Sequence, residues 1–264
     1  MKFLNLLTDE LRRSRTFYVL LLVGVVVLEA AGIGYNLLSA RNDVIKGVGK
    51  AISLANFFDG SMYYSFIVGG AAFALIIYAV FTWAREWYFQ GNYIYRLLIL
   101  PGNRAPIAFA KVASIIMLMA GLLVTQLIIF YLTHWVAELA LADSYSSQPV
   151  LVQLAQSMGF SYIFFPLNPA STFVYYTFGL GFLIILMNNC IIIFSHRGHG
   201  LVKTSLLTII YDVVMLGLLI GLVFSVRAPL TQSEVLIFII VFVISYCGIN
   251  SGVMYWLMNH YISV

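Results

Sequence analysis

Charge is scarce in this chain. Asp, Glu, Lys and Arg make up 9% of its 264 residues, against about a quarter in an ordinary soluble domain. Hydrophobic residues make up 62%, and the mean hydropathy is +0.98. A water-soluble fold of this size cannot hide so much apolar surface, because surface falls only slowly relative to volume as a domain grows. Lipid must be the solvent for much of the chain. Cysteine is also scarce. Cys190 and Cys247 both lie inside apolar runs, which argues against a disulfide framework and for two small buried side chains. No low-complexity tract or linker divides the chain. Residues 1–15 lack the short apolar core and small-residue cleavage site of a removable signal peptide.

Catalytic motifs are missing too. Gly47-Val-Gly-Lys50 carries part of a phosphate loop, but Val44 and Ala51 stand where G-x-x-x-x-G-K-[ST] needs Gly and Ser or Thr. There is no zincin motif, nucleophile elbow or paired acidic motif of an intramembrane protease. The chain therefore reads as no enzyme, with no cofactor of its own and no nucleic-acid partner.

What is present is a series of long apolar runs. A spanning helix needs about 20 mostly apolar residues, and six stretches qualify: 16–38, 61–84, 107–133, 171–194, 204–226 and 235–258. The expected fold is an all-α integral membrane protein with six transmembrane helices in one domain, 1–264. With the N-terminus inside, Lys2, Arg12, Arg13, Arg15, Arg85, Arg96, Arg104, Lys111, Arg197 and Lys203 fall on the cytoplasmic side. Arg41, Lys46, Lys50 and Arg227 fall outside. That ten-to-four split predicts both termini in the cytoplasm. Trp83, Trp135 and Trp256 sit near span ends, where amphipathic rings prefer to lie.

Three cytoplasmic elements follow. In 1–15, Phe3, Leu4, Leu7 and Leu11 recur at helical spacing, with Asp9, Glu10, Arg12 and Arg13 largely off that face. This predicts a short amphipathic helix in the inner interface, or a basic anchor that sets topology. The connector 85–106 is too polar to span. Its Tyr93, Arg96, Leu97 and Leu100 form one short helix stopped by Pro101-Gly102. Such a helix is either a docking peg or a loop packed on its own bundle. The turn Ser195-His-Arg-Gly-His-Gly200 has two histidines but no neighbouring Cys, Asp or Glu, so it reads as a polar loop rather than a metal site.

Arg85-Glu86, then Gly91, then Leu97-Leu98-x-Leu100-Pro101-x-x-Arg104, then a third span that begins near Lys111, resembles the permease subunits of ABC transporters of the type-2 exporter family. The N-terminal helix and the six spans match as well, so the likeness covers the whole chain. The resemblance implies an N-terminal elbow helix and a coupling helix within 86–104. Glu86, Tyr93, Arg96, Leu97, Leu100 and Arg104 would then face ABC ATPase subunits, which hold the ATP and Mg. It also implies a second permease chain and alternating access in a bacterial cell membrane. An amphipathic or lipophilic cargo (a peptide antibiotic, drug or lipid-like compound) suits the apolar spans. One departure is plain. Only 227–234 is available outside between spans five and six, where the family often has short re-entrant helices. The larger outer segment is 134–170, whose stretches 150–156 and 160–166 read as an interfacial helix and a lid.

Two carboxyls lie at membrane depth, where ionisable groups are costly. Asp212 follows Lys203 by nine residues and shares a helical face with Ser205 and Thr208. Glu29 is in line with Gly32 and Asn36. Glu29, Asn36, Thr208 and Asp212 are candidate lining of a translocation path. Otherwise each carboxyl is protonated, or paired with Asn or Tyr for structural reasons. Asn188-Asn189 and the small-residue repeats Gly217-x-x-x-Gly221 and Gly248-x-x-x-Gly252 read as bundle packing. The alternatives to the ABC reading are a proton-coupled secondary transporter using Glu29 and Asp212, and a non-transporting sensor or scaffold.

Overall fold

The computed structural model describes residues 2–45, 53–58, 62–89, 103–141, 144–145, 148–155, 169–194, 203, 206–215, 217 and 232–261. Eight α-helices are described: α1 (Lys2–Ile45), α2 (Leu54–Phe58), α3 (Met62–Ala84), α4 (Ala105–Leu141), α5 (Val150–Ala155), α6 (Pro169–Phe194), α7 (Leu206–Met215) and α8 (Gln232–Trp256). Single π-helical turns, Arg85–Phe89 and Leu257–Tyr261, extend α3 and α8. There is no strand among the described residues. Five helices, α1, α3, α4, α6 and α8, are long and apolar enough to cross a membrane, which makes the chain a multi-pass membrane protein. The fifth expected span, 204–226, is described as the shorter helix α7 and at residue 217.

Prolines mark several helix boundaries. None precedes Pro101, and α1 runs unbroken for 44 residues, about 66 Å at 1.5 Å per residue. The bilayer core is about 30 Å thick, so α1 exceeds it about twofold. Residues 2–15 are therefore not set apart as a separate elbow. Pro106 lies in the first turn of α4, Pro149 immediately precedes α5 and Pro169 opens α6. These are positions where a missing N–H costs nothing and the fixed φ suits a helix start. Asn103 Oδ1 accepts a hydrogen bond from the Ala105 N–H at 2.9 Å and caps α4. At its other end α4 continues to Leu141, past the expected limit of residue 133, because 134–141 contains no Gly or Pro to stop it.

Two compact units emerge. The first comprises Met1–Leu11, Ile77–Ile116 and Phe173–Val264; the second comprises Arg12–Ile76 and Met117–Thr172. Within the second, Leu54, Phe57, Phe58, Tyr64, Val68, Phe130, Ala137, Leu141, Val150 and Leu154 form an apolar core. Phe58 meets Tyr64 and Phe130 edge-on, with ring centroids 4.9 and 4.7 Å apart, the arrangement the ring quadrupoles favour. α2 and α5 are too short to be stable alone. Gln153 holds them together. Its Oε1 accepts from the Leu54 N–H at 2.6 Å, and its Nε2 donates to the Gln148 carbonyl at 2.7 Å. The Tyr145 hydroxyl lies 3.5 Å from Gln153 Oε1 and 2.9 Å from His134 Nδ1. Burial pushes the Tyr145 phenol up to about 12, so it stays a neutral hydrogen-bonding group. Gln153→Ala strips a buried N–H of its acceptor. It is expected to destabilise this end of the unit by about 1–3 kcal/mol, read as faster amide exchange confined to α2 and α5.

A close approach in the second unit is made at a glycine. The Tyr18 hydroxyl occupies the space a side chain on Gly121 would need, which lets α1 and α4 pack tightly there.

Candidate functional site

The first unit holds a buried cluster of charges. Lys111 and Glu86 are both 0% exposed and Glu10 is 8% exposed. Lys111 Nζ lies 2.8 Å from Glu10 Oε1 and 2.9 Å from Glu86 Oε1. Arg85 Nη2 lies 3.4 Å from Glu10 Oε2. The Lys111 ammonium also sits 5.3 Å from the centroid of the Trp83 ring, within reach of the negative ring face. Trp83 in turn donates its indole N–H to Met187 Sδ at 3.1 Å. Two acids thus meet two bases, so their formal charges cancel.

Local structure explains how the cluster assembles. Leu7, Glu10 and Ser14 are the buried positions near the start of α1, and they fall on one helical face. That face is centred on a carboxyl, whereas Phe3 and Leu4 are exposed. The sequence set Glu10 off the stripe of Phe3, Leu4, Leu7 and Leu11; the structure buries it together with Leu7. A lysine in the first turns of an apolar helix needs counter-charges more than the start of α1 needs a greasy stripe. The π turn Arg85–Phe89 buries Glu86 and Trp87; π turns of this kind recur at functional sites.

The cluster brackets the connector. Glu86 stands near its start, and near its end the Arg104 N–H donates to Asn259 Oδ1 at 3.1 Å. Asn259 belongs to the second π turn. Of the expected coupling residues, Glu86 and Arg104 are therefore placed and tied down. Tyr93, Arg96, Leu97 and Leu100 lie outside the described residues, as do Ser195–Gly200 and the stretch 160–166.

The expected path residues fall into two groups. Thr208 and Asp212 are in the first unit. Asp212 is exposed and accepts from Asn189 Nδ2 at 2.9 Å. Beside it, Asn188 Nδ2 donates to the Tyr211 hydroxyl at 2.9 Å and to the Asn250 carbonyl at 3.1 Å, and Tyr211 hydrogen-bonds Asn250 Oδ1. These bonds tie α6, α7 and α8 together. Glu29 and Asn36 are in the second unit. Glu29 is 2% exposed; its Oε1 accepts from Gln126 Nε2 at 2.7 Å, and Gln126 Oε1 accepts from the Tyr64 hydroxyl at 3.3 Å. Asn36 Nδ2 donates to the Phe57 carbonyl at 3.3 Å. Both membrane-depth carboxyls thus have amide partners. Cys190 is buried and Cys247 half-buried, both as free thiols, and Cys247 Sγ donates to the Thr177 carbonyl at 3.3 Å.

Sequence reasoning passed over Glu10, Trp83 and Gln126 as partners. A signal for the first was present: Asp9, Glu10 and Glu86 are the only acids assigned to the cytoplasmic segments, and Lys111 is the one lysine inside an expected span. No group of three His, Cys, Asp or Glu suited to a metal occurs among the described residues. Comparison with protein-family models, curated proteins and solved structures finds no match to this chain.

Proposed function

We propose that this chain is the membrane-spanning subunit of an ATP-driven exporter of the type-2 ABC family. In this reading the chain has six spans, both termini in the cytoplasm, and an N-terminal segment that acts as the elbow. It works as a dimer with a second permease chain, in the cell membrane of a bacterium. Separate ABC ATPase subunits dock on a coupling helix within 86–104 and hydrolyse ATP with Mg. The cargo is amphipathic or lipophilic, and the path includes Glu29, Asn36, Thr208 and Asp212.

The observation that carries the proposal is the buried Glu10–Lys111–Glu86 cluster at the two ends of the connector. A coupling element works only if force on it reaches the spans. A connector with frayed ends would absorb the displacement. Here Glu86 near its start is paired with Lys111, Arg104 near its end is held by Asn259, and Lys111 also meets Glu10 at the start of α1. A push on 90–102 would therefore reach the start of α1, the end of α3 and the start of α4 together. Closely packed contacts of this kind can carry a small displacement into the spans.

Purification with the neighbouring chains of its operon tests the reading. An ATPase subunit is expected to co-elute with the wild-type chain, and the double variant Leu97→Asp/Leu100→Asp is expected to lose it while remaining monodisperse. A chain that purifies alone and moves solute in ATP-free vesicles would sink the proposal.

A further inference from the structure

Two cavities in the second unit adjoin one another, and together they have the form of a site for one kind of molecule. The first is small and polar at one end. Glu29, Gly32, Asn36, Phe57, Phe58 and Tyr64 line it, and its volume is about 10 Å³, near the minimum for a single water-sized group. Glu29 Oε2 is buried and has no hydrogen-bond partner among the described residues. A buried carboxyl oxygen left in that state is costly, and a membrane-depth acid is a functional candidate by default. The second cavity is an apolar groove of about 340 Å³ between α1 and α3, lined by Gly24, Leu28, Phe66, Gly70, Ala71 and Ala74. That volume lies within the range of small-molecule sites. Gly24 and Gly70 have open space where a side chain would project, so the groove exists because these positions carry no Cβ.

Tyr63 and Ile67 line both cavities. The Tyr63 ring lies against α1, with two ring carbons 2.5 Å from where a Gly32 Cβ would stand, and its hydroxyl donates to the Leu28 carbonyl at 3.2 Å. Tyr63 is half exposed and stands where the polar pocket meets the apolar groove.

We propose that these cavities form one site for a cationic amphiphile with a small head: a primary ammonium group seated against Glu29 Oε2 and an unbranched aliphatic tail lying in the groove. The head supplies the N–H donors the carboxyl oxygen lacks and the positive charge the buried acid requires. The rings of Phe57, Phe58 and Tyr64 around the pocket favour a cation further. The pocket's size restricts the head to an ammonium and rejects a choline-like trimethyl group. The groove supplies apolar side chains for the tail to pack against in place of lipid. As a cargo site this rests on the transport reading above; the binding itself does not.

The full chain in phosphatidylcholine nanodiscs, with empty discs subtracted, provides the test. Saturation binding of radiolabelled dodecylamine is compared with that of dodecanol, which has the same tail and no charge. The wild-type chain is expected to bind the amine at least tenfold more tightly than the alcohol. Glu29→Gln is expected to erase that preference, and Gly70→Leu to weaken both ligands by filling the groove. Equal binding of amine and alcohol by the wild-type chain would mean the groove holds only lipid tails, and would overturn the proposal. So would an amine preference that survives Glu29→Gln. If that variant loses its monodisperse elution, the wild-type comparison and Gly70→Leu still decide. The assay contains no ATP or ATPase. Its failure leaves the transport reading standing with a different cargo, and failure of ATPase co-elution leaves amine binding intact.

Discussion

Replacing Lys111 with methionine is expected to destabilise the protein by about 3–5 kcal/mol, the range found when one partner is removed from a buried ion pair. Lys111 is fully buried between Glu10 and Glu86, at 2.8 and 2.9 Å. Without its ammonium, two carboxyls face each other away from water, with Arg85 3.4 Å from one of them. The Met stem fills much of the same volume, so the loss reflects charge rather than a cavity. Thermal unfolding of the detergent-purified chain, with folded yield by fluorescence-detected chromatography, measures it. A double variant, Glu86→Gln/Lys111→Met, removes one acid with one base, leaves Glu10 beside Arg85, and is expected to recover more than half of the loss. Removing a buried acid and base together costs far less than leaving one unpaired. A single variant as stable as wild type would mean the cluster is hydrated and its contacts carry little weight. Added salt is expected to change the wild-type midpoint little, because buried pairs are poorly screened.

The second large effect is expected at Phe58. Phe58→Ala removes a ring that is 2% exposed and packed edge-on against Tyr64 and Phe130. Deleting a buried Phe side chain costs about 3–5 kcal/mol when the site cannot collapse, and each aromatic pair adds about 0.5–1.5 kcal/mol. α2 has five residues and no independent stability, so the loss should release it rather than bend it. Limited proteolysis is the direct readout: new cleavage is expected in 54–58, while α6 and α8 stay resistant. Phe58→Leu, which keeps most of the volume, is expected to lose less than half as much. Cleavage spread evenly over the chain would show instead that the second unit does not unfold locally.

Much of this architecture can be read from short windows of sequence. The expected spans 61–84, 171–194 and 235–258 correspond to α3, α6 and α8 within a few residues, because hydropathy acts locally over about 20 residues. Pro106, Pro149 and Pro169 mark helix starts for an equally local reason. The short helix expected at 150–156 is present as α5. Boundaries that rest on no local stop signal were less legible. α1 runs through the junction at residue 15 and α4 runs past residue 133, because a helix continues into polar sequence when nothing breaks it.

Composition and hydropathy alone place the chain in a membrane, mark roughly where its helices begin and end, and show that its few ionisable residues at depth need partners. Which residues those partners are depends on how the helices pack. Lys111 meets Glu10 across 101 residues and Gln126 meets Glu29 across 97. Both are contacts between helices whose relative rotation no local pattern records. The burial of Glu10 is the clearest case. Helical periodicity assigns it to the polar side, and only the fold brings Lys111 of α4 to within 2.8 Å of it. A scarcity of charge first marked this chain as a membrane protein. Four of the charges in its first unit, Glu10, Arg85, Glu86 and Lys111, are gathered in one cluster.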